Sequence, residues 1–97
     1  MIQLIWSPRS LVDLDEIRAY IAVDSTAYAD LTVRRLVASV ERLRLFPDSG
    51  RIVPERQTSE LREVITARFR VVYRRRPGAV EIVTVFRGSR EFPDIEA

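Results

Sequence analysis

Cysteine, histidine and lysine are all missing from this 97-residue chain. Without cysteine, no disulfide can brace the fold and no thiolate can serve as nucleophile or ligand. Without histidine, the one side chain whose ordinary pKa lies near neutrality is gone. All sixteen basic residues are arginine, which stays charged and donates hydrogen bonds but is a poor proton shuttle. Proton transfer is left to Asp, Glu and the three tyrosines, Tyr20, Tyr28 and Tyr73. Zinc held by His or Cys is excluded, and the carboxylates show no recognisable metal-site spacing, so no metal and no cofactor are expected. No apolar run approaches the ~18 residues that a membrane span needs. Nor does the N-terminus carry a basic segment followed by an apolar one, so a cytoplasmic location without membrane association is expected.

What is present describes a folded domain. An apolar fraction of 46% beside 31% charged residues suits a globular chain, and the length suits one domain over residues 1–97. Charge is uneven along it. Residues 1–48 hold six arginines and seven acids, whereas 49–97 hold ten arginines and seven acids. The basic second half favours an anionic partner, either nucleic acid or an acidic protein segment.

Hydrophobic periodicity sets out the elements. Residues 2–6 are short and apolar, a first strand. Ser7-Pro8 follows as helix cap and first helical position, and Leu11, Leu14, Ile17 and Ile21 recur at helical spacing, predicting a helix over 8–23. Asp13 and Asp15 near its start suit the helix dipole. Asp24-Ser25-Thr26 breaks the pattern, and a second helix is predicted over 26–46 on the stripe of Ala29, Leu36, Val40, Leu43 and Phe46. So short a connection makes an antiparallel helical hairpin. After the Pro47–Gly50 turn comes a polar loop with a short extended piece at Ile52-Val53. Three strands then follow at about 61–66, 69–75 and 79–86, joined by turns at Ala67-Arg68 and 76–78. Val80, Ile82, Thr84 and Phe86 alternate with Glu81, Val83, Val85 and Arg87. Residues 91–97 read as a frayed tail. The fold class is α+β in the order β-α-α-β-β-β, a helical hairpin packed on a small, mainly antiparallel sheet.

The strand at 69–75 is the centre of interest. Phe69, Val71 and Tyr73 fall on one side of it and Arg68, Arg70 and Arg74 on the other, giving an apolar face and a guanidinium-lined face. Arg62, Arg70, Arg87 and Arg90 form the candidate target- or anion-binding set. Neighbouring strands lie about 4.8 Å apart, and converging guanidinium groups bind phosphate or carboxylate in bidentate fashion. Arg62 has Glu63 and Glu81 as plausible salt-bridge partners instead. Glu55 and Tyr73 are the nearest proton-transfer candidates, although Tyr73 shares its side with core residues.

SPRSLVDLDEIRAYIA, LRLFPDSGR, LREV, FRVVYRR and VEIVTVFRGSRE, taken in order over residues 1–92, resemble the RelE/ParE superfamily of bacterial toxin–antitoxin toxins. The resemblance implies a small toxin neutralised by a cognate, ParD-like antitoxin in a hetero-oligomer, and a helical hairpin on a small sheet. It also implies one of two activities. The RelE-like branch cleaves mRNA in the ribosome, and the ParE-like branch poisons DNA gyrase. Arg70 matches the strand arginine of the RelE branch, and Arg90 the arginine after the last strand. The lysines of that pattern are absent, however, and Phe92, the aromatic beyond Arg90, has nothing to ionise. A nuclease would have to draw on Arg70 and Arg90 with Glu55, Glu60 or Glu63 as base. The Gly50-Arg51 turn and the Phe-Arg-Gly-Ser-Arg ending are more similar to the ParE branch, so gyrase inhibition without catalysis is the expected activity. Ribosome-dependent mRNA cleavage is the alternative. A plain nucleic-acid-binding domain is a third reading, weakened by the small net charge of +2 and by the lack of interleaved strand aromatics.

Overall fold

The computed structural model describes residues 1–58 and 60–95. Strand β1 (Gln3–Trp6) leads into helices α1 (Pro8–Ala22) and α2 (Thr26–Ser39) and a 3₁₀ turn (Glu41–Arg44). Four strands follow: β2 (Arg51–Ile52), β3 (Leu61–Thr66), β4 (Phe69–Arg76) and β5 (Ala79–Arg87). They form one sheet in the order β1-β5-β4-β3-β2. β1 runs parallel to β5, and the other neighbours are antiparallel. The architecture is the expected α+β one, two helices packed on a sheet.

Both helices begin as their cap residues dictate. The Ser7 hydroxyl accepts from the Ser10 amide with Pro8 at the first turn, and Ser25 accepts from Tyr28. Asp13 does not serve the helix dipole as expected, since α1 has no acid in its first turn. Its carboxylate instead accepts from the Thr84 hydroxyl at 2.6 Å and the Val85 amide at 2.9 Å, tying α1 to β5.

α2 ends earlier than the periodicity predicts, at Ser39 and not at 46. The Ser39 hydroxyl donates back to the Leu36 carbonyl at 2.7 Å, a local bond that competes with the helical ladder. Val40 then turns the chain into the 3₁₀ segment. Leu43 still reaches the core, but Phe46 is 63% exposed and no longer part of the apolar stripe.

The sheet is covered on both faces. Leu14, Leu36, Val40 and Leu43 from the helical side pack on Val64, Val71, Tyr73, Val80 and Ile82. On the opposite, outer face, Val53, Leu61, Val72, Val83, Phe86 and Ile95 form a second core with Phe92 against it. Of the stretch 91–97 expected as a tail, 96 and 97 lie outside the described residues, while Phe92 and Ile95 rest on the sheet. Arg9 Nη1 donates to the Asp94 carbonyl at 2.9 Å over that stretch.

β5 does not keep the simple alternation expected of it. Tyr73 pairs with Ile82 and Val72 with Thr84, so Val83 has no partner on β4. This extra residue is a bulge, which inverts the facing of the residues beyond it. Val80 and Ile82 face the helices before the bulge and Val85 after it, whereas Phe86 joins the outer core. The Ser7 hydroxyl donates to the carbonyl of the bulged Val83 at 3.0 Å.

Candidate functional site

The two-residue turn at Ala67-Arg68 sets which residues of β3 and β4 share a face. Thr66 pairs with Phe69, hence Ile65 with Arg70, Glu63 with Val72 and Arg62 with Tyr73. Directly opposed residues on antiparallel strands point to the same side. Arg70 is therefore on the outer face with Glu63, while Arg62 is on the helical face with Tyr73. These two arginines sit on adjacent strands but do not converge, contrary to the sequence expectation.

Arg70 is 8% exposed, and its guanidinium is fully engaged. Its Nε donates to Glu63 at 2.7 Å, and its two terminal nitrogens donate to both oxygens of Glu55 at 2.9 and 2.7 Å. The group lies 5.0 Å from the Phe86 ring centroid and 5.5 Å from that of Phe92, an arrangement that adds cation–π attraction. The Glu63 side chain is wholly buried and also takes Arg51 Nε at 2.5 Å. So Arg70 belongs to a closed, charge-balanced network with Arg51, Glu55 and Glu63 under a lid of aromatic carbon, not to an open cationic surface.

The network moves pKa values in the direction its geometry requires. Bidentate hydrogen bonding from Arg70 is the main cause that lowers the Glu55 carboxyl from 4.5 to about 2, against a smaller desolvation effect. In turn the Glu55 bonds, with Glu63 behind them, raise Arg70 above the ordinary arginine value. A folded-state pKa below the unfolded one means stabilisation that is complete above about 4.5 and lost as pH falls toward 2. Because Glu55 is 42% exposed, solvent screening holds this contribution to about 1 kcal/mol. Thermal melts between pH 6 and pH 2.5 are expected to show Glu55→Gln losing less stability than wild type over that range. Parallel acid limbs would show that the pair contributes nothing.

Arg62, on the other face, donates Nη1 to the Gly50 carbonyl at 2.9 Å and approaches Asp48 at 3.9 Å. Neither Glu63 nor Glu81 is its partner. Tyr73 beside it is fully buried. Its hydroxyl donates to the Pro47 carbonyl at 2.8 Å and accepts the Gly50 amide at 3.0 Å, and burial raises its pKa. It is a structural bracket for the 47–50 turn.

Arg87 and Arg90 are at the far end of β5. Arg87 pairs in register with Phe69 and lies 5.7 Å from that ring. Arg90 is exposed. Of the four arginines singled out in the sequence, the structure thus brings Arg87 beside Arg90 and beside Arg70, with which it lines one cavity, while Arg62 stands apart. Arg51, Arg56 and Phe92 complete the Arg70 surroundings and were not foreseen. Arg56, with its carbon plane 5.5 Å from the Phe92 ring, donates to the Ile95 carbonyl at 3.5 Å. No local pattern marks residues that meet only when the loop and the C-terminal stretch fold onto the same face.

Residues 4–92 match the family model described as ParE toxin of type II toxin-antitoxin system, parDE. The chain is 33% identical over 91 residues to a protein named Toxin RelE2 of Caulobacter vibrioides, covering 93% of this chain and 99% of that one. It is 34% identical over 90 residues to Putative toxin Y4kP of Sinorhizobium fredii, covering 93% and 92% respectively. A solved structure titled as the chromosomal ParDE TA system from P. aeruginosa has the same fold. Its TM-score is 0.74 at 22% identity, with 90% of this chain and 96% of that one covered. The α+β sheet with its helical hairpin is thus that of a RelE/ParE-superfamily toxin. The chain belongs to the ParE toxin family of type II toxin–antitoxin systems. None of its helices, among the described residues, is long and apolar enough to cross a membrane.

Proposed function

We propose that this toxin is held inactive by a cognate, ParD-like antitoxin and acts in the cytoplasm by inhibiting DNA gyrase, not by cleaving mRNA. The observation that carries this reading is the state of Arg70. A ribonuclease of the RelE kind needs a cation free to meet the phosphate and a group able to take the ribose proton. Here Arg70 is occupied by Glu55 and Glu63. Glu55, held near pKa 2, is a feeble base at neutral pH. Arg90 is not among the groups bonded to Glu55 or Glu63, and Tyr73 faces the other side of the sheet with its hydroxyl already committed. Interference with gyrase requires a binding surface and no proton transfer.

Inducible expression in a bacterial host carrying a DNA-damage reporter tests the reading. Growth arrest with the reporter switched on, relieved by the neighbouring antitoxin gene, is the expected result. Arrest with a silent reporter and fragmented mRNA would overturn it and return attention to Arg70, Arg90, Glu55 and Glu63.

A further inference from the structure

Eight arginines of this chain are neutralised by carboxylates within 4.0 Å: 18, 44, 51, 62, 70, 74, 75 and 76. Arg9, Arg42 and Arg56 donate to neutral oxygens. Five remain whose side chains show neither an ion pair nor a hydrogen bond among the described residues, namely Arg34, Arg35, Arg68, Arg87 and Arg90. Four of these five line one continuous surface. Three cavities of about 480, 230 and 510 Å³ all border Phe69 and Arg87. The first reaches Arg90, the second Arg35, and the second and third share Arg68.

Backbone contacts fix this gathering. The Gly88 amide donates to the Arg68 carbonyl at 2.7 Å, clamping the β3–β4 turn to the end of β5, and the Arg90 amide closes a turn on Arg87. Arg87 lies over Phe69, so an incoming ligand meets charge before it meets the apolar floor. Tyr20 and Tyr28, 73% and 56% exposed, stand on the borders of the first and second cavities. Of the acids lining these three cavities, Asp13 is committed to Thr84 and Val85 and Glu16 remains, while Glu91 and Asp94 line a neighbouring cavity with Arg90. The net charge of +2 conceals this, because pairing elsewhere cancels half of the arginines and leaves four unpaired ones at one end.

We infer that this end of the molecule, built from Arg35, Arg68, Arg87 and Arg90, binds the phosphodiester backbone of nucleic acid. Guanidinium forks with no protein carboxylate are the groups that phosphate oxygens satisfy in bidentate fashion. Exposed aromatic rings beside them offer faces for stacking. The inference stands apart from the gyrase reading, and its test contains no gyrase.

The purified chain is titrated against a short fluorescent DNA duplex and an RNA duplex of the same length, over a range of salt. Four phosphate contacts give a log–log salt slope of about −3.6 on DNA. The variant R35A/R68A/R90A is expected to bind at least tenfold more weakly and to lose about 2.7 from that slope. R34A, which removes an equally unpaired arginine from outside the surface, is expected to bind within twofold of wild type. Unchanged thermal melts would show that all variants remain folded. Binding to either duplex with this pattern supports the site, and the ratio of the two affinities identifies the nucleic acid. Binding to neither duplex, equal weakening by R34A, or capture of poly-glutamate by a chain that ignores both duplexes would overturn it.

Discussion

Replacing Gly50 by alanine is expected to cost about 3 kcal/mol, at the upper end of what overpacking a core does. A Cβ at this position would stand 2.6 Å from the Tyr73 hydroxyl oxygen, 2.7 Å from its ring and 2.7 Å from the Glu63 carbonyl. None of these can yield cheaply. The tyrosine is wholly buried, and the carbonyl belongs to β3. The turn at 47–50 would have to lift away, breaking both hydroxyl bonds of Tyr73 and the Arg62–Gly50 bond together. For a chain of this size the melting temperature should fall by roughly 12 °C or more. A fall under about 4 °C, the equivalent of 1 kcal/mol, would mean that the turn is not braced on Tyr73. The Gly50-Arg51 pair, noted in the sequence only as a family likeness, thus has a packing reason.

The second large effect belongs to Glu63. Removing one member of a buried ion pair costs about 3–5 kcal/mol, because the other charge is left without compensation. Glu63→Ala would strip Arg70 of the carboxylate that meets its Nε and leave a void beneath β3. Glu55 keeps its bidentate bonds to the two terminal nitrogens of Arg70, so the loss is expected at the lower end, about 3 kcal/mol. The double variant Glu63→Leu/Arg70→Met removes both charges and extends the outer core of Leu61, Val72 and Phe86. It is expected to recover most of the loss, since apolar replacement of an entire buried pair is often neutral. Urea denaturation of the two variants decides the matter. If the double variant is as unstable as Glu63→Ala, the cost lies in lost shape and not in an orphaned charge.

Much of this molecule is written locally. The Ser7-Pro8 cap, the hairpin of helices and the three closing strands follow from cap chemistry and from periods of 3.6 and 2, and apart from the early end of α2 at Ser39 each is where those signals put it. What failed is what depends on parity and on distant partners. Arg62 and Arg70 were grouped because their strands are adjacent. Yet the two-residue turn at Ala67-Arg68 already places 62 opposite 73 and 65 opposite 70, which separates them by a face. That signal was present and needed only to be counted across. The Val83 bulge is different, since the hydroxyl of Ser7 that receives it lies on another element. The network around Arg70 is harder still, because Glu55, Glu63, Phe86 and Phe92 come from four separate stretches. The end of α2 turns on one serine choosing a local bond, which propensity does not resolve.

The parallel pairing of β1 with β5 bears on how the molecule comes into being. Gln3 lies opposite Ala79 and Trp6 opposite Ile82, so β1 must wait for a strand that follows both helices and the rest of the sheet in the chain. The helical hairpin and the β3–β4–β5 meander are built from neighbours in sequence and can form early. Closing the sheet joins β1 to β5, a long loop closure of the kind that slows folding. On the ribosome, α1 and α2 emerge with no sheet to bury their apolar faces. The folded surface of the toxin therefore exists only after β5 has been made, and β1, α1 and α2 wait through the synthesis of everything between without an assembled surface to act with.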